Sequence, residues 1–235
     1  MVNQVPIKLD HAKARAHGVM VGRGAPGIDP VAGAARYGQL VVFSRAQQIY
    51  SEGDTADRLY IVVSGAVKLS HTTSFGGMVL NIVGPREVFG ALSLFDPGPR
   101  MASATALTEV WAVAIDHETI RSIISKRPYV AEQFLQILAR RLKRTDDDLT
   151  DLVFIDGKGR VAKRLLQLAR RIGTPEAGAV RVAHNLSQAE IAQLAGVCRE
   201  TVNYSMAEFT RRGWIAVSRR SVLIRNAERL ARRAR

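Results

Sequence analysis

Four side chains in the last third of the chain have the types and spacing to read nucleic-acid bases. They are Arg199, Glu200, Asn203 and Tyr204, within "CRETVNYSM". Arginine can fork onto guanine, glutamate can accept from the cytosine amine, and asparagine can pair with adenine. On a helix starting near Arg199, Val202, Met206 and Phe209 fall on one side and mark the buried face. The four polar residues then face outward. Arg211, Arg212, Arg219 and Arg220 follow, and their chemistry suits phosphate oxygens better than base edges.

These residues need elements to hold them. Ser187 with Glu190 three residues on forms a capping-box pattern that opens a helix. That helix is expected to bury Ile191 and Leu194, and Ser187 at its start joins the DNA-facing set. "AGV" gives a tight turn, the second helix follows, and Gly213 stops it. Two helices joined by a glycine turn make a helix-turn-helix. "WIAVSRRSVLI" then reads as two strands around Ser218–Ser221, the wing of a winged helix. Cys198, the single cysteine, stands at the entrance to the second helix. A thiol there could be redox-responsive, because a helix N-terminus favours the thiolate. The alternative is a small residue standing in for an N-cap serine.

A second constellation lies in "GALSLFDPGPR", residues 90–100. It reads as a short helix over a phosphate pocket, closed by Arg100. Its second residue is Ala91, where a carboxylate would grip a ligand hydroxyl. A buried guanidinium without a partner is costly. Either a ligand phosphate pairs with Arg100, or a carboxylate such as Asp96 or Asp146 does.

Composition supports a polyanionic partner. The 235 residues carry a net charge of +13, distributed unevenly. Residues 1–155 carry 17 Lys/Arg against 15 Asp/Glu, whereas residues 156–235 carry 17 against 6. A near-neutral body joined to a basic last third suggests nucleic acid. Hydrophobic residues at 47% allow a sizeable core. No apolar run approaches a membrane span, and the N-terminus lacks a signal-peptide order, so no membrane association and a cytoplasmic location are expected. The histidines at 11, 17, 71, 117 and 184 show no metal-ligand spacing, and no nucleophile–base pattern points to an enzyme.

The expected fold class is α+β, in four parts. Residues 1–35 are rich in Gly, Ala and Pro and read as a flexible extension. Residues 36–127 read as short strands between turn signals, a jelly-roll β-barrel. Residues 128–155 form a helix and hinge. Leu135, Leu138, Leu142, Thr145, Leu149 and Leu152 are spaced as a coiled-coil seam. "IDGKGR" (155–160) is a polar break, "RVAKRLLQLARRI" a helix, and "GTPEAG" another break. Residues 156–235 form the winged helix-turn-helix DNA-binding domain.

Over about residues 37–230 the chain resembles the cyclic-AMP receptor protein and FNR family of transcription regulators, in its actinobacterial type. The resemblance is carried by "GALSLFDPGPR", by "RRLKRTDDDLTDLVFIDGKGRVAKRLLQLA" and most strongly by "RETV". It implies a homodimer paired along the long helix, reading a palindromic site in double-stranded DNA and working with RNA polymerase. It implies a cyclic-nucleotide-binding domain with a pocket at Gly90, Ala91, Arg100, Met101, Thr145 and Asp146. Departures fall in that pocket. The ribose-binding glutamate is replaced by Ala91, a small hydroxyl residue by Met101, and the adenine-side neighbour of Thr145 by Asp146. Tyr204 stands where a base-contacting Arg or Lys is common. The response to cyclic AMP is therefore expected to be weakened, altered or absent, and a different anionic effector is a third reading. A second class also stands open: an abundant, ligand-independent DNA-organising protein with little sequence preference.

Overall fold

The computed structural model describes residues 36–73 and 76–235. The expected flexible extension at 1–35 lies outside the described residues. The chain divides into two compact units between Ser122 and Ile123.

The first unit is built from two four-stranded antiparallel sheets. One has the order β1 (Gln39–Phe43), β8 (Val110–Asp116), β3 (Arg58–Ser64), β6 (Val88–Phe89). The other runs β2 (Gln48–Tyr50), β7 (Ser103–Ala106), β4 (Val67–Thr73), β5 (Gly76–Val83). The expected jelly roll is therefore formed. Its core includes Phe43, Tyr60, Val62, Val67, Leu69, Phe89 and Ala112. Tyr60 stacks on Phe89 with ring centroids 4.9 Å apart. Full burial of each such side chain contributes about 1.5–3 kcal/mol. The run 102–116 splits between the two sheets as β7 and β8. In β8 the residues of both faces are buried from Val110 to Ile115, and Gly38 approaches Val113 and Ile115 closely. Helix α1 (Leu92–Phe95) belongs to this unit, and helix α2 (His117–Lys126) contains the boundary at Ser122.

In the second unit, α3 (Tyr129–Phe154) is followed after Ile155 by α4 (Gly157–Ile172). The "IDGKGR" stretch is thus not a loop: only Ile155 and Asp156 break the helix. Asp156 is the N-cap of α4 and accepts from the Gly159 amide at 2.8 Å. Nor is "GTPEAG" a plain break. It forms β9 (Gly173–Glu176) and the turn to β10 (Ala179–Val182). Helices α5 (Gln188–Ala195) and α6 (Arg199–Arg211) follow, then β11 (Ile215–Ser218), β12 (Ser221–Ile224) and α7 (Ala227–Arg233). The sheet order is β11-β12-β10-β9, so the expected two-stranded wing extends a four-stranded sheet. The spacing of Val161, Leu165, Leu168 and Ile172 predicts one apolar face of α4; the first three are buried and Ile172 is half-buried, in a unit whose α4 packs on α5, α6 and α7.

Candidate nucleic-acid interface and effector pocket

The capping box is present as read. The Ser187 hydroxyl accepts from the Glu190 amide, and the Glu190 carboxylate accepts from the Ser187 amide. Ile191 is buried, but Leu194 is only half-buried, and Ala192 and Ala195 take the interior instead. Gly196 closes α5 in the left-handed conformation.

Helix α6 buries Val202, Ser205, Met206 and Phe209. Arg199, Glu200, Asn203 and Tyr204 are all exposed. Phe209 stacks on Trp214, fixing the helix end against the strand that follows. A groove of about 590 Å³ runs beside α6, lined by Gln188, Asn203, Thr210, Arg211 and Val217 among others. Arg219 and Arg220 are exposed at the tip of the β11–β12 turn. Cys198 is the exposed N-cap of α6, with Sγ 3.1 Å from Thr201 Oγ1. The Glu200 carboxyl is held below its ordinary range by its own backbone amide and by a hydrogen bond from Cys198.

Sequence reasoning missed the clasp that seats this motif. Arg160 donates from Nη1 to the Ile155 carbonyl at 2.7 Å, from Nε to Ala195 at 3.0 Å and from Nη2 to Gly196 at 2.9 Å. One guanidinium thus joins the α3–α4 break to the C-terminal carbonyls of α5, where a cation is favoured. Two ion pairs join α3 to α4: Lys163–Asp151 at 2.6 Å and Arg164–Asp148 at 2.7 Å. Asp156 pairs with Arg233 at 2.6 Å, and that hydrogen bond holds its carboxyl below the usual range. The signal available was the acidic run 146–151 followed by the basic run 158–164.

The seam residues of α3 are mostly solvent-facing in the single chain. Leu142 is 63% exposed, Leu135, Thr145, Leu149 and Leu152 are exposed too, and Leu138 is half-buried. Leu152 also leans on the turn of the helix-turn-helix, since a Cβ on Gly196 would lie 2.7 Å from its Cδ2.

In the first unit Arg100 is 4% exposed. It donates from Nη1 to the Gly90 carbonyl at 2.9 Å and from Nη2 to the Arg58 carbonyl at 2.7 Å. Its guanidinium lies 4.3 Å over the Tyr50 ring. The carboxylate beside it is Asp57, 3.8 Å away, a residue not singled out from sequence. Asp96, expected as a partner, is exposed at the C-cap of α1. Asp57 is already committed to Arg58 at 2.8 Å. Burial raises the Asp57 carboxyl, but the Arg58 hydrogen bond and charge outweigh it and leave it below its ordinary value. Among the described residues, Arg100 Nε, Ser93 Oγ and His117 Nε2 are buried without a hydrogen-bond partner. Burial, then the charge of Arg100, lowers the His117 pKa.

Ala91 is the half-buried N-cap of α1 and brings no side-chain hydrogen bond. Met101 is 68% exposed. Thr145 and Asp146 are on the exposed length of α3 in the other unit, where Thr145 Oγ1 donates to the Arg141 carbonyl at 3.1 Å. A buried, under-neutralised guanidinium suits a phosphate. The Ala91 methyl offers no hydrogen bond.

Comparison with known proteins is consistent with both halves. Residues 40–127 match the cyclic nucleotide-binding domain, and residues 159–233 match the Crp-like helix-turn-helix domain. The chain is 54% identical over 212 residues to the CRP-like cAMP-activated global transcriptional regulator of Mycobacterium tuberculosis, covering 89% of this chain and 95% of that protein. It is 35% identical to the cyclic AMP receptor protein of Thermus thermophilus, covering 83% of this chain and 87% of that one. A solved CRP/FNR-family transcriptional regulator from Thermus thermophilus superposes with a TM-score of 0.70 at 26% identity, covering 83% of this chain and 97% of that one.

Proposed function

The chain belongs to the CRP/FNR family of DNA-binding transcription regulators, and from that premise we propose that it acts as a homodimer with a weakened cyclic-AMP response. The family consists of transcription regulators rather than enzymes. Two copies pair along α3, burying Leu135, Leu142 and Leu149 against their symmetry mates. Each leucine so buried contributes about 1–2 kcal/mol beyond its present state. Two-fold symmetry sets two α6 helices on half-sites about one helical turn, roughly 34 Å, apart. Arg199, Glu200, Asn203 and Tyr204 read bases. Ser187, Arg219 and Arg220 meet phosphates. RNA polymerase is the partner through which such a regulator acts, in the cytoplasm.

The observation that carries the pocket reading is the state of Arg100. The phosphate-type anchor is retained, but both terminal nitrogens are already engaged by main-chain carbonyls. The ribose-type anchor is absent at Ala91. A cyclic nucleotide is then held by its phosphate alone, and an effector gains control only by its difference in affinity between hinge states. Three donors from Arg160, with the α3–α4 ion pairs, support a DNA-reading unit seated without ligand.

Sedimentation of the wild type against Leu142→Asp/Leu149→Asp tests the dimer. A dimer that becomes a monomer, with palindrome affinity falling toward that for unrelated DNA, is the expected result. A wild-type monomer that binds a single half-site overturns the dimer. Equal competition by unrelated DNA in the wild type overturns sequence-specific reading and favours a DNA-organising role.

A further inference from the structure

Lys158 is the second residue of α4, just after the Ile155–Asp156 break, yet its ammonium serves another helix. Nζ lies 2.8 Å from Glu208 Oε2 and 4.2 Å over the centroid of the Tyr204 ring. Tyr204 and Glu208 are four residues apart on α6 and share a face. Thr201 lies on the same stripe. A Cβ on Gly157 would meet Thr201 Cγ2 at 3.0 Å and Val197 Cγ1 at 3.3 Å. The first residues of α4 are therefore pressed against the first turns of α6, and glycine at 157 permits the approach.

The two partners of Lys158 depend on it unequally. Glu208 is buried and has a second cation, Arg212, at 2.8 Å. It stays neutralised without Lys158. Tyr204 is 57% exposed, and among the described residues Lys158 is the one cation over its ring. An exposed tyrosine samples several rotamers. A cation fixed over one face favours one of them. Glu208 supplies that fixation, so the ammonium acts as a stationary post rather than a free chain end.

We infer that Lys158 is a positioning residue for base recognition: anchored by Glu208, it holds the Tyr204 ring from outside the recognition helix and sharpens discrimination at the base that Tyr204 faces. This rests on the reading of α6 as the DNA-reading helix. A side chain ordered before binding loses less freedom on contact, and a mismatched base gains less from a ring that cannot adapt. A cation–π contact at an exposed site corresponds to about a 2- to 5-fold change in binding.

The test uses the full chain and a palindromic site selected in vitro with the wild type. Affinities are measured by fluorescence anisotropy for that site and for every single-base variant of it. Lys158→Gln is expected to lower preference about 2- to 5-fold at one position per half-site, the position that Tyr204→Leu also changes. Lys158→Arg should retain the preference. In a Tyr204→Leu background, Lys158→Gln should change it no further. Arg212 still neutralises Glu208 in these variants, so the fold is expected to persist. Lys158→Met, which keeps the stem against the ring but loses the charge, gives the same readout should Gln destabilise. A Lys158→Gln profile equal to the wild type overturns the inference, as does a uniform loss over all sequences, the mark of a phosphate contact. A wild type without base preference overturns the reading of α6 itself, and that result appears before any variant is compared.

Discussion

Arg100 donates from Nη1 to the main-chain carbonyl of Gly90 at 2.9 Å, and a Cβ on Gly90 would stand 2.7 Å from that same nitrogen. Gly90 has φ +71, a conformation that favours glycine. The guanidinium is thus folded onto the loop that should frame a ligand. An incoming phosphate competes with two carbonyl oxygens, those of Gly90 and Arg58. A phosphate is the stronger acceptor because it carries charge. With no ribose contact to add, a small net gain is expected on the proposed reading.

Restoring the missing carboxylate should restore affinity. A hydrogen bond to a charged group is worth about 1.5–3 kcal/mol. Ala91→Glu is therefore expected to tighten cyclic-AMP binding by about 10- to 150-fold, measured by titration calorimetry. Arg100→Ala should remove the heat in both backgrounds. An Ala91→Glu protein no tighter than wild type means that residue 91 does not face the ribose.

Arg160 should matter more to stability than its partial exposure suggests. Arg160→Ala removes three charge-assisted hydrogen bonds and leaves the carbonyls of Ile155, Ala195 and Gly196 without that donor. A loss of about 2–4 kcal/mol is expected, read by urea unfolding. Arg160→Lys can satisfy fewer carbonyls and should recover only part. A loss under about 0.5 kcal/mol would show that the clasp does not hold the motif.

His184 gives the second unit an acid limit. It is buried, its Nδ1 accepts from the Leu186 amide at 3.0 Å, and burial lowers its pKa from 6.5 to about 4. The depressed folded value means the unfolded chain takes up the proton first as pH falls. The neutral imidazole's contribution is complete above about pH 6.5 and is lost progressively toward about pH 4. Its size is on the order of 3 kcal/mol. His184→Asn keeps an acceptor but not the titration, so its unfolding free energy should lose that part of the slope between pH 6.5 and 4. Identical slopes in the two proteins would assign the acid sensitivity to other groups.

The helix-turn-helix was legible because local rules agree there. Ser187 and Glu190 cap, Gly196 turns, and Val202, Met206 and Phe209 repeat at helical spacing. The β9–β10 hairpin was not legible. Thr174, Pro175 and Glu176 show no alternation, and the register comes from pairing Val180 and Val182 with Ile224 and Val222 of a distant strand. Gly157 and Gly159 suggested a loop because glycine weakens helices. Here small size outweighs propensity: Thr201 crowds the first, and Ile155 and the Arg233 carbonyl crowd the second. The Arg100 pocket was half legible. Its anchor could be read from "GALSLFDPGPR", but Asp57 and the carbonyl of Arg58, more than 40 residues away, come together only in the folded sheet.

The most direct test of a regulator with a half-kept pocket is DNA affinity with and without saturating cyclic AMP. The full-length wild type and Ala91→Glu would be measured on the selected palindrome at fixed salt, since phosphate contacts make affinity salt-dependent. The wild type is expected to bind the palindrome without ligand and to change by less than about tenfold, while Ala91→Glu responds more strongly. A wild type that needs cyclic AMP for binding, with a gain of about 100-fold or more, would contradict the account.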